Sequence, residues 1–481
     1  MLEQLKKLGS DSLLYALMNM GTKLIAFFMM PVYTRYLGIN EYGALEMLDM
    51  LISMLVFFVI FGTDSALAFY YFDTEDKNKK IQYIKNIFLF RVSISVIFLI
   101  ITIIFGEWIS GLVFKSKDYY FALLLSMIVL LSDTFITLLL SVFRFEFKTM
   151  KVIVYTLLQM LLVAIFSYAI LVYFFKSLQA ILLARILSGI IIIFLIGKNI
   201  FPYFSIKFNK KLISEILSYA APLVPASISF WVIAFSNRFF LTTFDSLKSV
   251  AIYGVAFKYA SMITLLTSGV QLAWRPYSMS IKDKENAELL FSKIVIVVFL
   301  IGLSGILVIT TIMPWVILMV DKSFFEAYKY VGLISIVVFL NFFYMIISIG
   351  LFFKKKTKYI SLYFGLGALV SILLNSVLIP SFSIWGAIAA YLISHIIPIL
   401  LIFQKSQTYY YLPIPYGKLL FLFLNFLFIV ISIIYIQENN NLSKWYILIM
   451  WTYFFVSVLL VRLDKEFKRP PSNASAVSLV E

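Results

Sequence analysis

Five basic residues lie inside long apolar stretches of this chain, Lys23, Arg91, Arg185, Arg238 and Lys258, against Asp64 and Asp133 as the clearest acids. An ionised side chain at the centre of a bilayer costs about 2.5–3.5 kcal/mol on insertion scales, so such groups face a partner or a water-filled interior. A cationic surplus of this kind suits an anionic substrate that must pass through low dielectric. Cysteine is absent, which removes thiol and disulfide chemistry. No catalytic constellation, metal site or Gly-rich phosphate loop with its lysine is read from the sequence, so neither an enzyme nor an ATP-driven machine is expected.

The residues differ in what their places imply. Lys23 falls near the middle of the first apolar stretch, too deep to snorkel to a headgroup, so it faces a lumen or pairs with Asp133 at similar depth. Arg91 and Asp64 sit at matching depth on neighbouring antiparallel stretches, which predicts a buried ion pair, with an anion contact by Arg91 as the alternative. Arg35 and Arg238 close the first and seventh stretches and read as outer-gate residues or as partners of Glu46 and Asp49. Arg185 and Lys258 lie on the sixth and eighth stretches, and Lys258 is favoured for the substrate path. Arg275, beside Trp274 and Pro276, either anchors its helix in the interface or captures the anion first. The lone His395 reads as a packing residue rather than a proton relay. Pro31, Pro222 and Pro225 fall within stretches one and seven and are expected to act as hinges between inward-open and outward-open states.

These residues are carried by elements that water could not dissolve. Over 481 residues the chain is 62% hydrophobic and 13% charged, with a mean hydropathy of +0.99. A spanning helix needs about 20 mostly apolar residues, and about fourteen such stretches are found. They run near 11–36, 43–71, 84–106, 119–143, 149–175, 178–198, 212–241, 249–275, 290–317, 327–353, 358–379, 384–404, 417–436 and 443–462. Lysine and arginine crowd into every second gap, including Lys77, Lys79, Lys80 and Lys85, then Lys198, Lys207, Lys210 and Lys211, then Lys354, Lys355, Lys356 and Lys358. The positive-inside rule then predicts a multi-pass protein of the cytoplasmic (inner) membrane with both termini in the cytoplasm. The net charge of +16 is therefore a topology signal, and nucleic acid is not an expected partner.

Tyr42 and Gly43 after the first stretch are echoed by Tyr253 and Gly254 after the seventh, as Arg35 is by Arg238. Six helices separate the copies, so both run in the same direction, as in transporters with parallel repeats. The expected fold is an all-α integral membrane protein with two six-helix lobes related by a parallel pseudo-twofold repeat, plus two C-terminal helices. The divisions are 1–200, 201–405, 406–465 for helices thirteen and fourteen, and 466–481 for a cytoplasmic tail.

The stretch Pro31, Val32, Tyr33, Thr34, Arg35, Tyr36, Leu37, Gly38, Ile39, Asn40, Glu41, Tyr42, Gly43 resembles the opening signature of the Wzx polysaccharide flippases. They belong to the superfamily that also holds lipid II flippases and multidrug extruders. Gln271, Leu272, Ala273, Trp274, Arg275 and Pro276 add to the resemblance, whereas Asn237 departs from the acid the family often has beside the arginine of helix seven. The resemblance implies a transporter moving undecaprenyl-diphosphate-linked oligosaccharide from inner to outer leaflet of a bacterial membrane, for capsule, O-antigen or exopolysaccharide. It implies the bilayer, a polysaccharide polymerase and a chain-length regulator as partners. Lys23, Arg91, Lys258, Arg275 and Arg185 would then bind substrate, and Arg35, Arg238, Asp64 and Asp133 would form gates or ion pairs.

No cofactor is expected. The membrane potential favours outward movement of an anion by about 2.3 kcal/mol per charge per 100 mV, and Na⁺ or H⁺ coupling through Asp64 or Asp133 is the other option. A cation-coupled multidrug exporter and a lipid II flippase are the alternatives within the superfamily. A polytopic glycan polymerase fits less well, since acids in the outer loops are few and scattered.

Overall fold

The computed structural model describes residues 2–200, 209–221, 224–439 and 442–463, with their side chains except those of 2–12, 198–200, 226, 272, 273, 275 and 276. Pro222, the tail 466–481 and the Arg275 side chain lie outside the described residues. The helices are α1 Leu2–Tyr36, α2 Ile39–Ile60, α3 Thr63–Asp73, α4 Lys77–Phe114, α5 Tyr120–Phe145, α6 Thr149–Tyr173, α7 Leu178–Ile200, α8 Lys210–Ala220 and α9 Val224–Phe244. They continue as α10 Leu247–Ala260, α11 Ile263–Ile281, α12 Ala287–Val316, α13 Tyr328–Ile347, α14 Ile349–Phe353, α15 Lys358–Tyr409, α16 Tyr416–Glu438 and α17 Tyr446–Leu460. No strand appears among the described residues.

Among the described residues, ten helical segments are long and apolar enough to cross a membrane, eleven if the pair Leu247–Ala260 and Ile263–Gln271, bent by 49°, is one span. The chain is thus an all-helical, multi-pass membrane protein. Among the described residues each expected stretch carries helix, and the count of single long apolar helices is smaller than fourteen for local reasons. Stretches 358–379 and 384–404 both fall within α15, where Ser383 has the non-helical angles φ 48° and ψ −126°, so the expected division into two stretches is kept. A Cβ on Gly386 would run into the Leu378 carbonyl, although residues eight apart in a straight helix are separated by about 12 Å. The chain therefore reverses at Ser383, whose hydroxyl donates to the Asp245 carboxylate. Stretch 212–241 is divided between α8 and α9, and α17 has only 15 residues.

Breaks fall where glycine and polar residues permit them. Phe61 and Gly62, both left-handed at φ 44° and 69°, separate α2 from α3, and the Thr63 hydroxyl donates to the Ile60 carbonyl left over at the break. At Gly62 a Cβ would sit 2.8 Å from the Ala220 carbonyl, so glycine is needed for both conformation and space. By contrast, α1 runs through Pro31 as one helix. Pro225 lies in the first turn of α9, where its missing N–H costs no helical bond.

The helices group into two compact units. One comprises Met1–Val255, Met319–Phe325 and Phe364–Ser394, the other Ala256–Leu318, Glu326–Tyr363 and His395–Glu481. They cut the chain elsewhere than at 200/201, since α9 packs on α2 and α4 and Asn375 of α15 donates to Ser236 of α9 at 3.4 Å. At the centre of the first unit, α5 lies against α4 and α7, with Leu130, Leu138, Ile181 and Ile192 excluded from solvent.

In the second unit, Pro314 inside α12 leaves the Thr310 carbonyl without its helical donor. Gln437 of α16 donates to it at 3.0 Å, and Trp451 of α17 donates to the Thr311 hydroxyl at 3.0 Å. These bonds, with the Lys329–Glu438 pair at 3.0 Å, fasten the C-terminal helices to α12 and α13. A groove of about 710 Å³ opens between α12, α13, α15 and α16, lined by Phe299, Phe343, Ile399, Phe403, Leu420 and Phe423 among others.

Candidate functional site

The charged side chains of the first unit converge on α2 and α3. Glu41, in the first turn of α2, accepts the Leu178 N–H at 2.6 Å and so places a carboxylate at the amino end of α7, where the helix dipole favours it. One turn on, Glu46 pairs with Arg238 of α9 at 3.5 Å, with side chains only 5% and 4% exposed. Asp49 takes Arg185 of α7 in a two-pronged contact at 2.5 and 3.1 Å, the geometry that makes guanidinium–carboxylate pairs strong. Asp64, on α3, receives Arg91 of α4 at 2.8 Å. The Arg91 side chain also donates twice to the Thr63 hydroxyl, at 2.8 and 2.6 Å. Arg91 is fully buried, while the Asp64 side chain is 46% exposed and opens one side of the pair to solvent.

The expected Arg91–Asp64 pair is therefore present. Arg238 does pair with Glu46, but Asp49 serves Arg185 rather than Arg35. The Arg35 guanidinium instead donates to the Met319 carbonyl at 3.0 Å. Close by, the Asp321 N–H donates to the Thr34 hydroxyl at 3.4 Å, and Tyr42 meets Phe324 edge to face. The hydroxyl and N–H of Ser323 donate to the Asp321 carboxylate at 2.6 and 2.9 Å and, aided by Arg35, hold it below the usual carboxylate range. A depressed pKa contributes stability above the ordinary carboxylate value that is lost as pH falls through the depressed one. The thermal midpoints of wild type and Asp321→Asn should therefore differ at neutral pH and converge in acid, as light-scattering melts would show. A gap that widens in acid would contradict the assignment.

The Asn237 departure has a structural answer. The Asn237 side-chain amide donates to the Tyr253 hydroxyl at 2.5 Å, and the acid for Arg238 comes from Glu46 on α2. The Arg238 guanidinium lies 5.2 Å and 5.4 Å from the ring centres of Phe235 and Tyr253. Gly43 and Gly254 have related tasks. Gly43 admits the Leu247 backbone and Gly254 admits the Glu46 side chain, so α2 and α10 approach closely, as small residues allow inside membranes.

Asp133 on α5 accepts the Gln159 amide at 3.1 Å and lies in the field of Arg185 and Asp49. Lys23 is exposed on α1, one turn beyond exposed Asn19. Gly21 faces Leu157 of α6, and helical geometry turns Lys23 to the opposite side of α1. Lys258, near the end of α10, is half-buried, and His395 is buried at 2% exposure.

Sequence reasoning left Glu46 and Asp49 out of the intramembrane tally. Their three-residue spacing on a helix was the available signal. With them included, Glu46, Asp49, Asp64 and Asp133 nearly balance the five cations, so the surplus is smaller than the sequence suggested.

A bundle of apolar spans with charge pairs held between them defines a multi-pass, all-helical membrane protein. The fold matches a solved lipid II flippase, MurJ, in an inward closed conformation, with a TM-score of 0.69 at 15% identity over 95% of this chain and 100% of that one. It also matches an inward-facing multidrug resistance MATE family transporter of the MOP superfamily, with a TM-score of 0.58 at 14% identity over 83% of this chain and 93% of that one. The Lsg locus putative protein 1 of Haemophilus influenzae is 24% identical over 368 residues, 74% of this chain and 87% of that protein. Residues 8–282 match the family described as polysaccharide biosynthesis protein, and the chain belongs to that family.

Proposed function

We propose that this protein carries a polyprenyl-diphosphate-linked oligosaccharide from the inner to the outer leaflet of a bacterial cytoplasmic membrane by alternating access, with both termini in the cytoplasm. The observation that carries the reading is the exposure of Lys23 at mid-depth of the first span, on the side of α1 away from α6. A lysine there is not tolerated against lipid, so it faces a wet space in which a diphosphate can be held. Membership of the polysaccharide biosynthesis family supports a glycan as part of the substrate. The apolar groove beside α16 is suited to part of the polyprenyl chain.

Arg91, Arg185 and Arg238 already have carboxylate partners. In this reading they set the shape of the path, and Arg91 exchanges Asp64 for phosphate only when substrate is present. Lys258 and Arg275 are further contacts, while the membrane potential, or a cation bound at Asp64 or Asp133, supplies direction.

The test is the leaflet position of radiolabelled lipid-linked oligosaccharide in the native host after deletion of the gene. The intermediate should accumulate on the cytoplasmic side, and wild type but not Lys23→Gln should relieve it. Arrival in the outer leaflet without this protein, in a host lacking a second member of the family, would overturn the reading. Accumulation of a peptidoglycan precursor instead would identify a lipid II carrier.

A further inference from the structure

The reversal of α15 brings its two ends together. Tyr359, in the first turn, and Tyr409, in the last, have ring centres 6.2 Å apart, which brings their two hydroxyls into one cluster. The ammonium of half-buried Lys405 lies 5.0 Å from the Tyr359 ring centre and 5.6 Å from that of Tyr409. Lys358 lies 5.5 Å from the Tyr359 ring, and Lys356 acts on the same hydroxyl from the preceding turn.

Like charges gathered at this density repel one another, and the faces of two aromatic rings offset only part of that repulsion. The preceding turn adds Lys354 and Lys355, with Lys355 at φ 55°. The Lys356 N–H donates to the Leu351 carbonyl at 2.8 Å across it. That is the helix-end turn in which glycine usually takes the left-handed place, so a lysine here keeps charge at a backbone cost. The cluster crowns a membrane-spanning hairpin in one of the basic gaps, at the level where tyrosine rings and lipid phosphates meet.

We propose that Lys356, Lys358 and Lys405, with Tyr359 and Tyr409, form a binding site for the phosphate headgroup of an anionic phospholipid. The lysines supply charge, the two hydroxyls supply donors, and the rings hold Lys405 towards the headgroup layer. The site does not depend on what the protein transports.

Native mass spectrometry of the full chain in detergent, with added phosphatidylglycerol, phosphatidylcholine or undecaprenyl diphosphate, reads its occupancy. Wild type should retain phosphatidylglycerol well above phosphatidylcholine. Substituting Lys356, Lys358 and Lys405 together by Gln should weaken that retention about fivefold per lysine, on the order of 100-fold in all. The triple Lys77→Gln, Lys210→Gln, Lys211→Gln, which removes the same charge from the other unit, should leave retention unchanged, and Lys405→Arg should keep it. If the cluster triple fails to elute as a folded protein, Lys356→Gln alone, on an exposed turn, should still show the fivefold loss. Equal losses in both triples would reduce the site to diffuse charge. No loss in the cluster variants, or a loss confined to undecaprenyl diphosphate, would also overturn it.

Discussion

Replacing Glu46 by Ala should cost about 3–5 kcal/mol, enough to remove most folded protein from a detergent extract, because it strands the Arg238 guanidinium in a site only 4% exposed. The paired change Glu46→Leu with Arg238→Met should recover most of that loss, since replacing both ions by apolar groups of similar size removes the uncompensated charge. By contrast, Asp49→Ala should cost less, because Asp49 and Arg185 are 33% and 23% exposed and water can take over part of the pairing. Thermal midpoints of the full chain by fluorescence-detected size exclusion give the order. A Glu46→Ala midpoint equal to wild type, or a double variant no better than the single, would show that the pair does not fasten α2 to α9. A stable double variant also separates structure from gating. Transport retained in it assigns Arg238 to the scaffold, and transport lost assigns it to the moving gate.

The Arg91–Asp64 pair was legible in the sequence because only a short gap joins two antiparallel spans, so depth could be matched by counting residues. The Asp49–Arg185 pair was not. Its partners are 136 positions apart, and counting gives depth but not the rotation that turns one helix face to another. Hydropathy placed helix in every expected stretch, since the bilayer fixes span length. It placed the turn between stretches 358–379 and 384–404, where Ser383 reverses the chain, but not the break at Phe61–Gly62, which depends on two backbone conformations inside an apolar run. Pro31 lies inside a continuous α1, while breaks that the sequence reading did not single out lie beside Gly62 and between Ala260 and Ile263. The surplus of cations was overstated for a related reason. Glu46 and Asp49 sit near the end of a span, where a linear reading assigns acids to water, and only the packing of α2 against α7 and α9 shows Glu46 buried and Asp49 half-buried, each paired with an arginine.

The signature that carried the family resemblance holds two glycines with opposite structural weight, and substitution should separate them sharply. At Gly43 an added Cβ would meet the Leu247 carbonyl closer than any non-bonded approach allows. That oxygen belongs to the backbone at the start of α10, so α2 and α10 must move apart. Overpacking costs about 1–3 kcal/mol when side chains can yield, and more when a backbone must, so Gly43→Ala should lose about 3 kcal/mol or more. At Gly254 the Cβ would lie 2.5 Å from the Glu46 carboxyl carbon. That side chain can shift only by lengthening its contact with Arg238, so Gly254→Ala should fall between. Gly38 has nothing within 4 Å, and its φ of −63° suits any residue, so Gly38→Ala should stay within about 0.5 kcal/mol of wild type. Thermal midpoints of the three variants should therefore rank Gly38→Ala above Gly254→Ala above Gly43→Ala. A Gly43→Ala midpoint at the wild-type value would mean that α2 and α10 do not make this backbone contact in the membrane.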